Sequence, residues 1–105
     1  MSSFILSPNF LAKGKKIESL SVDILWWSRE DALSLIEIYR NNQEAVACCD
    51  AVEKNNNQYI YNYHALNLHQ KKEETWEQFV VRSCHEAREY VQNIPNHSPV
   101  YFAVI

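Results

Sequence analysis

Strand-forming runs alternate with two amphipathic helical stripes along 105 residues, and this alternation predicts an α+β fold. The expected architecture is a single domain over 1–105, a small, mainly antiparallel sheet of about four strands packed by two main helices. Three features carry the expectation. Residues 23–52 read as strand, helix, strand; the triplet Asn55-Asn56-Asn57 separates two strand-like runs; and Thr75 opens a long apolar stripe of helical period.

At the N-terminal end, Pro8 suits the first position of a short helix over 9–13 that takes Phe10 and Leu11 inward, with Gly14 ending it in the left-handed conformation. Lys13, Lys15 and Lys16 then form a basic knot. It reads as a solvated turn in preference to a nucleic-acid contact, because no aromatic residue lies within it to stack bases. Ile17, Leu20 and Val22 anchor a turn, and residues 23–27 form a strand from their aromatic and β-branched content.

Ser28 with Asp31 is a weak capping box, after which Ala32, Leu35, Ile36 and Tyr39 recur on one face of a helix over 29–41. Asn41-Asn42 supplies the left-handed residue that stops it, and residues 45–52 follow as a buried strand. The asparagine triplet makes a hairpin, because asparagine tolerates positive φ. A return strand over 58–64 then places Tyr59, Tyr61 and Tyr63 on one face by alternation. That ladder suits either packing under a helix or a recognition surface.

Residues 65–74 are polar and read as an irregular loop, long enough to suggest a binding role. Thr75 with Gln78 is a second capping box, followed by the stripe Trp76, Phe79, Val80, Ser83, Ala87, Tyr90 and Val91. Pro95 and Pro99 end this helix, and residues 100–105 add a final strand.

Composition excludes several chemistries. One glycine in the whole chain leaves no material for a phosphate-cradling glycine loop or a nucleophile elbow. A formal net charge of −3 disfavours a nucleic-acid backbone as ligand. Apolar runs are too short for a membrane span and no basic segment precedes Phe4, so the expected location is the cytoplasm. Cys48, Cys49 and Cys84 lack paired spacing and are expected as reduced thiols. With His64, His69, His85 and His97 they show neither Cys-x-x-Cys nor His-x-x-x-His, so neither a metal site nor a cofactor is expected. No catalytic residue is assigned. Cys48 and Cys49 project to opposite faces of their strand, and no oxyanion loop is available to either.

Asp50 is a carboxylate inside an apolar run. Either it faces solvent or ends the buried part of the strand, or it serves a partner or orders the sheet through a hydrogen bond. Glu73 and Glu74 are favourable charges ahead of a helix N-terminus. Between Ile17 and Glu53 eight carboxylates stand against only Arg29 and Arg40, which suggests an acidic face and a basic partner.

Four segments, taken in order, resemble a family of immunity proteins from bacterial polymorphic toxin systems of the contact-dependent inhibition type. They are Phe10-Leu11-Ala12-Lys13-Gly14-Lys15, then Ile24-Leu25-Trp26 leading to Asp31-Ala32-Leu33, then Cys48-Cys49-Asp50-Ala51-Val52, and last Ser83 with Ala87, Tyr90 and Val91. Cys48 and Cys49 stand where the family pattern has glycines, and Tyr61-Asn62-Tyr63-His64 where it has an Asp-Asn-Trp stretch. The resemblance implies a small cytoplasmic protein, encoded beside a toxin, that binds the toxin's C-terminal domain and neutralises it by stoichiometric occlusion. A nuclease toxin holds phosphates with cations, and an acidic inhibitor complements it. The candidate toxin-binding residues are Glu37, Glu44, Asp50, Glu53, Glu73 and Glu74, with Tyr59, Tyr61 and Tyr63 as aromatic anchors. The alternative function is a small regulatory or adaptor protein that binds another basic protein through the same residues.

Overall fold

A computed structural model describes residues 4–20 and 22–105. Its elements run α1 (Pro8–Leu11), β1 (Lys15–Lys16), β2 (Leu25–Trp26), α2 (Arg29–Asn41), β3 (Cys48–Asn55), β4 (Gln58–Ile60), β5 (Leu66–Asn67), α3 (Trp76–Asn93) and β6 (Val100–Val104). This is the expected α+β class. Strand β3 is the centre of a four-stranded antiparallel sheet, with β6 along one edge and β4 and β5 in succession along the other. Beyond β6, Trp27 exchanges two backbone bonds with Phe102 (2.8 and 2.7 Å). A second, two-stranded sheet joins β1 to β2.

Alternation along β3 divides the interior. Cys49 and Ala51 point to α2 and α3, where they pack with Trp27, Leu35, Ile36, Val80, Val91 and Phe102. Val52 points the other way and packs with Trp26, Ile17 and Ala103 under the β1–β2 segment. The adjacent tryptophans thus serve opposite sides of the sheet, which follows from the twofold period of an extended chain.

Helix α2 begins at Ser28, whose side chain accepts from the Asp31 amide (3.2 Å). The guanidinium of Arg29 donates to the carbonyl of Val91, an acceptor left over at the C-terminal end of α3, and to that of Pro95 just beyond it. Helix α3 opens with a reciprocal capping box: Thr75 accepts from the Gln78 amide (3.1 Å) and the Gln78 side chain accepts from the Thr75 amide (2.9 Å). Ser83 is fully buried but partnered. Its hydroxyl accepts from the Val46 amide (3.0 Å) and donates to the Val80 carbonyl (3.3 Å), fixing α3 to the approach of β3.

Several expectations are corrected. Gly14 has no positive φ. It lies against Trp27, where an added Cβ would meet the ring at 2.9 Å, so close packing and not turn geometry demands glycine. Leu11 is exposed. Lys15 and Lys16 are paired with β2 and do not form a free turn. The strand expected over 23–27 is confined to Leu25–Trp26 plus the Trp27 bridge. Gln43 (φ 57°), not Asn41 or Asn42, takes the left-handed conformation after α2.

The strand expected over 45–52 lies instead at Cys48–Asn55, because its partners β6 and β4 set the pairing. The hairpin turns through Asn56 (φ 50°) and Asn57 (φ 68°), both left-handed as a two-residue turn of type I′ requires. The stretch 65–74 is not wholly irregular, since it contains β5 and the buried Leu68. Trp76 is partly exposed and donates from its indole to the Gln43 carbonyl (2.9 Å).

Candidate interaction surface

The return strand after the hairpin breaks at Ile60, and the break organises the surface. Register fixes Glu53 opposite Ile60 and Cys49 opposite Leu66, so residues 61–65 cover a stretch of β3 that holds only 50–52. Two extra residues must bulge outward, as irregular edge strands do where they re-aim side chains.

The backbone of β3 shows what the bulge leaves behind. Cys48 and Lys54 bond towards Ile105 and Pro99 on the β6 side, so by alternation the Ala51 amide faces the bulge, where no strand pairs with it. Asp50 fills the gap: its Oδ1 accepts from the Ala51 N–H at 2.8 Å. Burial pushes the Asp50 carboxyl up, and this hydrogen bond opposes the shift only in part. The hydrogen bond that the structure shows for Asp50 thus runs to the amide of its own neighbour, Ala51.

The bulge also separates the tyrosines, contrary to the single-face ladder expected. Tyr63 turns to the helical side, where its hydroxyl donates to Glu53 Oε2 (3.1 Å) while Asn62 donates to Oε1 (3.2 Å). Tyr61 packs edge-on against Trp26 (6.2 Å between centroids) and stays 49% exposed. Burial, then the nearby Asp50, raises its hydroxyl pKa. Beneath it the Trp26 indole N–H is buried without an acceptor among the described residues, an arrangement that costs about 1–3 kcal/mol.

On the same side of the sheet, Tyr59 meets Tyr101 edge-on (6.1 Å), and two ammonium groups converge on this pair. Lys15 Nζ lies 5.4 Å from the Tyr59 centroid and 5.0 Å from that of Tyr101; Lys54 Nζ lies 5.9 Å from Tyr59. The fold thus supplies the aromatic partners that the basic knot lacks in sequence.

The remaining candidates lie elsewhere. Glu37, on α2, pairs with Arg88 of α3 (2.5 Å), on the helical side and across the sheet from Asp50. Glu44 lies in the connection from α2 to β3. Glu73 is exposed ahead of α3. Glu74 is gripped by Arg82 (2.7 and 2.9 Å), which also holds Glu86 and the His69 carbonyl. The Arg82 guanidinium holds the Glu74 carboxyl at about 2. The acidity that is contiguous in sequence is therefore distributed in space: along the bulged edge Asp50, Tyr59 and Tyr61 lie on one side of the sheet and Glu53 with Tyr63 on the helical side, while Glu37, Glu44, Glu73 and Glu74 lie away from it.

Sequence reasoning missed Tyr101, Lys15, Lys54 and Asn62 as members of this surface, and the buried Trp26 as the ring that supports it. Only the alternation of Asp50, Val52 and Lys54 on β3 could have signalled one of them.

The thiols carry no activated character. Cys48 and Cys84 are raised by burial, and Cys49 is pushed up to about 12. Among the described residues no three His, Cys, Asp or Glu side chains are grouped to hold a metal ion, and no helix is long and apolar enough to cross a membrane. A groove of about 520 Å³ between the N-terminal segment and α2 is lined chiefly by apolar residues, including Phe4, Leu25, Leu35, Tyr39 and Ile105.

In comparisons with known proteins, a family model described as Immunity protein 40 matches residues 16–105. No curated protein and no solved structure matches the chain.

Proposed function

The chain belongs to the Immunity protein 40 family, and from that premise we propose that it neutralises a cognate toxin domain in the cytoplasm by stoichiometric binding, without chemistry of its own. Membership supports a toxin-neutralising role and a protein toxin as partner. The finer reading is that the partner is a C-terminal toxin domain of a contact-dependent inhibition-type system, carrying cationic residues as a nuclease would. The contact surface in this proposal is the bulged edge of the sheet, with Asp50, Tyr59 and Tyr61 on one side of it and Glu53 with Tyr63 on the other.

One observation carries that choice. Asp50 and Glu53 are held by neutral donors, the Ala51 amide and the side chains of Tyr63 and Asn62, and neither forms an ion pair among the described residues. By contrast Glu37 and Glu74 already have arginine partners. A carboxylate fixed in position yet lacking a cation is preorganised to receive one, which favours both affinity and orientation. Exposed Tyr61 beside it contributes a rigid amphipathic anchor.

The test is co-expression with the toxin domain encoded immediately beside the gene. Growth should be rescued and the two chains should co-purify at equal stoichiometry. Rescue without a complex, or turnover of the toxin's product by the isolated protein, would overturn the binding mechanism.

A further inference from the structure

Resting on the toxin-neutralising reading, we infer that the side of the sheet opposite the helices, along the margin where Tyr61 and Lys15 stay exposed beside the β1–β2 segment, is a dipolar docking surface. On it Asp50 receives a basic side chain of the toxin domain, and Lys15 with Lys54 receives a carboxylate of the same domain. A partner that is merely basic would not fit this face.

Strand alternation sets the pattern. Asp50, Val52 and Lys54 share one side of β3, and Val52 is buried under Trp26. Four residues of extended chain therefore separate the α-carbons of Asp50 and Lys54 by about 13 Å. Aromatic rings fill the interval: Tyr61 above Trp26 near the acidic end, Tyr59 with Tyr101 near the basic end. Lys15 reaches the same pair from β1, so two strands that are remote in sequence each bring an ammonium group to the Tyr59 ring.

Neither end is neutralised among the described residues. Asp50, Lys15 and Lys54 form no ion pair among the described residues, whereas the adjacent Lys16 is tied to Asp23 at 2.9 Å. Opposite charges at a fixed separation, flanking rings, attract a partner in one orientation and repel it when reversed, so they set register more than raw affinity.

The experiment measures binding of the full chain to the adjacent toxin domain by calorimetry at two ionic strengths, for the native protein, Asp50→Asn, and the double variant Lys15→Gln/Lys54→Gln. Asparagine keeps an acceptor for the Ala51 amide, so Asp50→Asn should fold with unchanged or higher thermal stability. Both variants should weaken binding about tenfold or more, and each should flatten its salt dependence. Unchanged or tighter binding by the lysine variant would overturn the dipolar surface, since loss of cations favours a uniformly basic partner; toxin neutralisation would then still stand. Native affinity retained by Asp50→Asn would likewise overturn the dipolar surface, by removing its acidic end. If Asp50→Asn fails to fold, the lysine variant decides. Failure of the native chain to bind would instead remove the toxin-neutralising reading itself.

Discussion

Gly14 shows how one residue can be conspicuous in sequence for a reason that lies elsewhere in the chain. A lone glycine after a short helix suggests a left-handed terminator, yet its φ is not positive and its neighbour is the Trp27 ring. Phe10 stacks on the same ring at 5.0 Å, so α1 and the glycine together form its cover. Gly14→Ala would place a Cβ 2.9 Å from Trp27 and 3.1 Å from Leu25. The expected cost is about 1–3 kcal/mol from overpacking, read as a lower urea midpoint with unchanged slope. A neutral substitution would show that the ring has room to move. Asp50 is a second case. Its isolation among apolar residues was legible, but its task of capping the Ala51 amide depends on a strand partner that fails to arrive.

Among the elements, the long helices were legible because their signals are local. The α2 span agrees with its apolar period and its Ser28 cap, and α3 follows the Thr75–Gln78 box. Thr75→Ala should lower stability by about 1 kcal/mol, since the Gln78 amide loses its acceptor while the reciprocal bond survives. Thermal melting would detect it, and no change would mean that water replaces the hydroxyl. Strand ends were less legible. The hairpin at Asn56-Asn57 is encoded by residues that accept positive φ, but the bulge over 61–65 comes from two separate pairings with β3. No local pattern states both registers, so an uninterrupted tyrosine ladder was the natural expectation. Its failure sends Tyr63 to Glu53 and leaves Tyr61 on the opposite side.

Across the molecule, charge is arranged by the fold and not by sequence blocks. Arg82 ties the segment before α3 to the helix through Glu74, Glu86 and the His69 carbonyl. Glu74 has its carboxyl lowered from 4.5 to about 2, first by the Arg82 hydrogen bonds and then by the Lys71 amide. A carboxyl lowered on folding adds stability that is fully present above pH 4.5 and disappears as pH falls towards 2. Arg82→Gln should therefore lower the melting temperature at neutral pH, and the gap from the native chain should close across that acid range. A gap independent of pH would assign Arg82 a packing role over Phe79 instead.

The sequence by itself determined the α+β class, both principal helices, the hairpin turn and most of the core, because period, caps and turn residues act over a few neighbours. Only the tertiary structure decided where β3 and its partners register, which tyrosines share a side, and which carboxylates keep an arginine. Those outcomes depend on contacts between segments far apart in the chain, whose side chains meet only after the sheet has closed.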